Sequence, residues 1–135
     1  MITHRTKIDV RYYETDKMGI VHHSNYIRYF EIARIEFMKH IGLDYAVMEE
    51  SGLMSPVLSV ECNFKSPCGF GDVIEVECFI KEQKGVRTFF GYNVYKEEKI
   101  IATGSTSHTF VDNEFKPQNI KKNYPDIYSR IMEAI

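Results

Sequence analysis

The chain has 135 residues, with 44% apolar and 27% charged side chains and a net charge of −2 at pH 7. That size and balance fit one globular domain, which buries roughly two thirds of the surface its unfolded chain exposes. The composition argues against a dedicated nucleic-acid binder, which carries a basic surplus, but leaves room for an anionic ligand held by a few local Lys or Arg residues.

Met1 to Lys7 is polar and lacks the apolar segment of a secretory signal. No apolar run reaches the ~20 residues of a membrane helix. Lys7 to Tyr13 alternates Ile8, Val10 and Tyr12 with polar neighbours, a period-two strand, and Glu14 to Gly19 reads as a turn. The period then changes. Tyr26, Phe30, Ala33, Phe37 and Ile41 follow helical spacing, and Tyr29, Ile32 and Met38 widen the stripe, predicting a long helix wrapped on several sides. Ser24 is its expected N-cap and Gly42 its expected C′ residue.

Four strand-like stretches follow: Leu53 to Lys65, Asp72 to Lys84, Val86 to Lys96 and Ile100 to Val111. In the second, Ile74, Val76, Cys78 and Ile80 share one face. Short connections at Lys84-Gly85 and Glu97-Glu98 predict an antiparallel meander of the last three. Tyr124 to Ile135 reads as a short helix. One strand, a long helix and four grouped strands argue for an α+β fold rather than βαβ units. The expected architecture is a curved antiparallel five-stranded sheet wrapped around one long central helix. The other sheet face, with Phe89, Phe90, Tyr92 and Tyr95, is expected to be covered by a partner subunit.

Cys62, Cys68 and Cys78 are odd in number and have no CxxC spacing. They read as free thiols in a reducing cytosol, and a zinc site would need more ligands at tighter spacing.

Functional groups are densest in YYETDKMGIVHHSNY, Tyr12 to Tyr26, at the link from the first strand into the helix. Helix starts collect anions and polarise carbonyls, because unpaired amides point outward there. A carboxylate beside such a start, with two histidines following, has the parts of an acyl-transfer site. Asp16 would attack a thioester or activate water while helix amides hold the oxyanion. The competing reading keeps Asp16 and Glu14 as braces of a turn, His22 and His23 as structural or surface residues whose rings point apart, and Tyr26 and Tyr29 as core.

The stretch VRYYETDKMGIVHHSNYIRYFEIAR, Val10 to Arg34, closely resembles the signature of the 4-hydroxybenzoyl-CoA thioesterase family, including its YbgC-like acyl-CoA thioesterases. The family pattern runs R-Y-x-E-T-D-x-x-G-x-V, a polar link ending in N-Y or S-Y, then a helix carrying F-E-x-A-R. PCGFGDV, Pro67 to Val73, resembles the family's P-x-x-x-G-D segment. The resemblance covers most of the chain and implies a single hotdog-fold domain that hydrolyses acyl-CoA thioesters to free acid and CoA, with no cofactor and no metal.

It places the catalytic carboxylate on Asp16, with contributions from Tyr12 and His23. It places helix-start amides near His23 and Ser24, and substrate binding around Val21, Ser24, Asn25 and Tyr26. It also implies a cytoplasmic homo-oligomer, dimer or tetramer, with active sites at the subunit interface. Glu31, three residues before Arg34, is expected to pair with it on one helix face. Lys65, Lys84, Arg87 and Lys96 are the candidates for the CoA phosphates by strand position. Two alternatives remain: a thioesterase acting on acyl-carrier protein, or a non-catalytic acyl-CoA binding module.

Overall fold

The computed structural model describes residues 1–135. Five strands, β1 (Thr3–Asp9), β2 (Val57–Phe64), β3 (Val73–Lys84), β4 (Arg87–Lys96) and β5 (Lys99–Thr109), form one sheet in the order β1-β3-β4-β5-β2. Every neighbouring pair is antiparallel. The long helix α1 (Ser24–His40) crosses one face. Shorter helices α2 (Tyr45–Glu50), α3 (Ile120–Asn123) and α4 (Pro125–Ala134) fill the ends.

Alternation puts Ile74, Val76, Cys78 and Ile80 of β3 on the helix side, all fully buried. They share one cluster with Tyr26, Tyr29, Phe30, Ala33, Phe37 and Met38 of α1. Phe30 stacks on Tyr92 with centroids 4.3 Å apart. Gly104 makes that possible, since a Cβ there would meet the Phe30 ring. The expected meander is present. Its β4–β5 turn is tight, with Glu97 and Glu98 both at positive φ (50° and 63°), as a two-residue turn matching strand twist requires. Arg5 on β1 lies 3.2 Å from each carboxylate oxygen of Glu98 and holds that turn.

Several expectations are corrected. The first strand is Thr3–Asp9, not Lys7 to Tyr13, because Tyr12–Glu14 forms a 3-10 turn in which both tyrosine rings are exposed. The strand expected from Leu53 shortens to Val57–Phe64. Phe90 and Tyr92 face α1 and are buried, leaving Phe89 and Tyr95 of the four aromatics on the other face. Ile32 is 45% exposed and widens no buried stripe. Ser24 is the first helical residue, not the cap, and its hydroxyl bonds to His22 Nδ1 at 2.8 Å. Gly42 does follow the helix end in the left-handed region (φ +86°).

Arg34 does not pair with Glu31, which is exposed. It is 5% exposed and donates from Nε to the Tyr45 hydroxyl (3.2 Å) and from Nη1 to the Tyr92 hydroxyl (3.1 Å). Tyr92 bonds on to Thr106 (2.6 Å), and Thr106 to His108 Nε2 (2.8 Å). Arginine can only donate. The Tyr92 hydroxyl oxygen is therefore the acceptor at the Arg34 end, and the network continues through Thr106 to His108.

Burial and the Arg34 charge lower the His108 pKa from 6.5 to about 3. The unfolded chain then binds a proton below pH 6.5 that the folded chain refuses. Stability is expected to fall on acidification between about pH 6.5 and 3, by up to about 1.4 kcal/mol per pH unit from this group. His108→Gln should flatten that limb in melting curves taken across the window. An unchanged slope would show that His108 is charged or solvated in the fold.

Candidate active site

The link between β1 and α1 is built on Glu14. Its Oε1 accepts from the Arg11 amide (2.7 Å) and from the Tyr29 hydroxyl (3.0 Å). Its carbonyl accepts from the His22 amide (2.9 Å) and from Asn25 Nδ2 (2.8 Å). Glu14 thus ties the 3-10 turn to the start of α1. The Asp16–Val21 loop between them closes on itself: the Asp16 amide donates to the Ile20 carbonyl (2.9 Å) and the Gly19 amide to the Asp16 carbonyl (2.9 Å). Gly19 sits at φ +79°, which a side chain would resist.

Asp16 braces its turn and also lines a cleft. Its Oδ1 accepts from the Met18 amide (2.8 Å), bracing the turn. Its Oδ2 takes no partner within the chain, and the half-buried carboxylate lines a cleft of about 350 Å³. Met18, Ile20 and Val21 of the same loop line it, with His23 and Tyr26 from the helix start. The opposite wall is Phe64, Lys65, Ser66 and Pro67, where β2 ends. Apolar walls with few convergent polar groups are the usual form of a small-molecule site.

The helix start offers one free amide. The Asn25 amide donates to the His22 carbonyl (2.9 Å) and the Tyr26 amide to the His23 carbonyl (3.2 Å). The Ser24 amide lies 3.3 Å from His22 Nδ1. The His23 amide has no partner in the protein and belongs to a residue lining the cleft. The His22 and His23 rings do not point apart, because they sit in a turn rather than a strand. Their centroids are 4.1 Å apart. No group of three or more His, Cys, Asp or Glu side chains is placed to hold a metal ion.

Of the expected site residues, the structure brings Asp16, Val21, His23 and Tyr26 together. It does not bring Tyr12, Ser24 or Asn25 to the cleft. The Tyr12 ring is 75% exposed and meets Phe70 edge-on at 5.5 Å. Asn25 is buried, its Nδ2 on Glu14 and its Oδ1 accepting from Arg28 (3.0 Å). Among the phosphate candidates only Lys65 lines the cleft. Lys96 is paired with Asp72 (3.0 Å), and Lys84 and Arg87 flank the β3–β4 turn.

Phe64 in the cleft wall is a group that sequence reading passed over, and Cys68 lies against the wall residue Tyr26. The Tyr26 hydroxyl contacts Cys68 Sγ at 3.5 Å, and Phe64 meets the Tyr26 ring edge-on at 5.1 Å. Burial raises the Cys68 thiol above its ordinary pKa and pushes Cys62 up to about 11. Both are protonated at neutral pH, which disfavours either as the nucleophile.

A family profile described as the thioesterase-like superfamily matches residues 10–131. A Bacillus subtilis (strain 168) protein named "Putative acyl-CoA thioesterase YneP" is 36% identical over 132 residues, 96% of each chain. A Staphylococcus aureus DHNA-CoA thioesterase structure superposes with a TM-score of 0.94 at 32% identity, covering 98% of this chain and 91% of that one. A Thermus thermophilus hypothetical protein, TT1821, superposes with a TM-score of 0.92 at 35% identity, covering 99% and 98%.

Proposed function

The chain belongs to the thioesterase-like superfamily and is an acyl-CoA thioester hydrolase, and on that premise we propose that Asp16 is its reactive carboxylate and the His23 amide its oxyanion donor. The observation that carries this reading is one shared cleft. A carboxylate with a free Oδ2, an unpartnered amide at a helix start and an imidazole all belong to residues lining it.

A thioester carbonyl lacks amide resonance and its thiolate leaves readily. A preorganised donor and a carboxylate therefore suffice without a Ser-His-Asp triad. The carbonyl oxygen docks on the His23 amide. Asp16 Oδ2 then either adds to the carbonyl carbon or takes a proton from the attacking water. Cleavage of the C–S bond releases the thiolate, and the His23 imidazole in the same cleft is the proton carrier to it. On the nucleophilic route the acyl group is left on Asp16 as an anhydride, which water then hydrolyses; on either route the products are the free acid and CoA. On this reading no cofactor takes part beyond the CoA of the substrate. Met18, Ile20, Val21 and Phe64 supply apolar surface for the acyl group, and Lys65 at the rim supplies a charge for a CoA phosphate.

The cleft lies where β2 ends, and β2 is the sheet edge. Its residues are exposed or half-exposed throughout, including Val57, Leu58, Val60 and Phe64. A long apolar edge strand is a template for pairing. We propose that a second copy covers it, giving a homo-oligomer, dimer or tetramer, with the cleft at the subunit boundary. The three free thiols suit the cytoplasmic setting proposed for it. No helix is long and apolar enough to cross a membrane.

The test is loss of thioester absorbance with short, long and aromatic acyl-CoAs, alongside the solution mass by light scattering. Turnover by a species at a multiple of the chain mass is expected. Turnover of acyl-carrier-protein thioesters alone would move the assignment to that substrate class. A monomer with full activity would remove the interface from the mechanism.

A further inference from the structure

The loop carrying Asp16 does not stand alone. It rests on the loop Pro67–Asp72, between β2 and β3, through two backbone contacts. The Val21 amide donates to the Cys68 carbonyl at 2.8 Å. Gly69 lies so close to Gly19 that a Cβ on it would sit 2.8 Å from the Gly19 carbonyl oxygen. Gly69 is not at positive φ. Its lack of a side chain is needed for this approach rather than for its own backbone.

The supporting loop is in turn held by Asp72. The Asp72 Oδ2 accepts from the Gly69 amide at 2.8 Å and lies 3.0 Å from Lys96 Nζ. The Asp72 amide donates back to the Gly69 carbonyl (3.1 Å), and the Asp72 carbonyl accepts from Val10 at the end of β1 (3.0 Å). The Gly69 amide and the Lys96 charge keep the Asp72 carboxyl below its ordinary pKa, so it remains an acceptor across the neutral range. Cys68, inside this loop, also sets the Tyr26 wall of the cleft through its Sγ contact.

We infer that Asp72 is a positioning residue for the reaction: by fixing the Gly69 amide it clamps the Pro67–Asp72 loop, and through Cys68 and Gly69 that loop sets the place of Asp16 in the cleft. The inference rests on Asp16 being the reactive carboxylate. Of the two bonds Asp72 makes, the one to Gly69 is assigned the larger share. The pair with Lys96 has both side chains about one third exposed (32% and 30%), and pairs so wetted contribute little. A misplacement on the order of 1 Å costs up to about a hundredfold in rate. Loosening the clamp should therefore lower kcat while leaving most of the binding surface intact.

The experiment is steady-state hydrolysis of the best acyl-CoA by Asp72→Ala, Asp72→Asn, Gly69→Ala, Lys96→Met and Asp16→Asn, each checked for folding by melting temperature. Asp72→Ala is expected to lose about tenfold in kcat with KM within about twofold. Asp72→Asn keeps an acceptor for the Gly69 amide and should recover most of that loss. Lys96→Met should stay near wild type. Gly69→Ala leaves Asp72 untouched but pushes the two loops apart, and should show the same kcat-selective loss. It carries the test alone if Asp72→Ala fails to fold.

Wild-type kcat in folded Asp72→Ala and Gly69→Ala, with Asp16→Asn inactive, overturns the inference and leaves the Asp16 assignment standing. A loss confined to KM also overturns it, by moving the loop into substrate binding. Full turnover by Asp16→Asn overturns both.

Discussion

Asp16→Asn is expected to abolish turnover of every acyl-CoA the wild type accepts, with kcat down by about 10³-fold or more, while the fold stays intact. The reason lies in the unequal work of the two carboxylate oxygens. Oδ1 holds the Met18 amide and with it the turn. The amide side chain retains an oxygen there, so the loop keeps its brace. Oδ2, free in the cleft, is replaced by an NH₂ group that can neither attack a carbonyl nor accept a proton from water.

Asp16→Ala would remove both functions at once and could not separate chemistry from loop geometry. The check is hydrolysis of the preferred substrate by wild type and variant, with melting curves of both. Activity retained in a well-folded Asp16→Asn protein would remove Asp16 from the mechanism and leave it as a turn brace. His23→Gln is the companion measurement. It keeps the backbone amide that would hold the oxyanion and deletes only the proton carrier, so a smaller loss is expected.

The second large effect falls on stability. Tyr92→Phe deletes one oxygen and keeps the stack on Phe30. That oxygen accepts from the buried Arg34 guanidinium and bonds on to Thr106. A buried charge stripped of a partner costs far more than a neutral hydrogen bond. The expected loss is about 3 kcal/mol, or on the order of 10 °C in melting temperature for a chain of this size.

The account also predicts a sign for the double variant. Arg34→Met removes the charge that Tyr92 solvates, so it should cost less in the Tyr92→Phe background than in wild type, with a coupling of about 1 kcal/mol or more. Additive losses would mean that the Tyr92 hydroxyl does not help to solvate Arg34 and that Tyr45 does so without it.

Arg34 illustrates a general limit of reading side chains by spacing. Glu31 and Arg34 are three apart and share a helix face in any α-helix, so a surface pair was the local expectation. The packing overrode it. Ala33, Arg34, Phe37 and Met38 lie on the buried side, and the cation is carried under the sheet to two tyrosines that sequence distance could not associate with it, 11 and 58 residues away. The β4 aromatics fail for a related reason. A run of alternating aromatics shows that two faces exist, but the register with β3 and β5 decides which one meets the helix. Here it turns Phe90 and Tyr92 inward.

What was legible without coordinates rests on local chemistry. The 3.6 period of α1, the alternation of β3 and the short connections of the meander are each set by the backbone geometry of their own segment, and all three stand. The resemblance carried by Val10 to Arg34 is borne out at the level of family and fold by matches along nearly the whole chain. Asp16 and His23 could be named together because only six residues lie between them.

The far wall of the cleft could not be named in that way. Phe64 to Pro67 is the end of β2 and the loop that follows it, in a strand that starts more than thirty residues after Tyr26, and it reaches the Asp16 loop only once β2 has paired with β5 at the edge of the sheet. Nor could sequence separate Tyr12 from Asp16. Four residues of extended chain would keep them within reach, but the 3-10 turn at Tyr12–Glu14 directs that ring toward Phe70. Local periodicity specifies elements because each residue's backbone preference acts on its own neighbours. The cleft and its supports come from long-range pairings, in which residues far apart along the chain bury surface and close hydrogen bonds that no single segment contains.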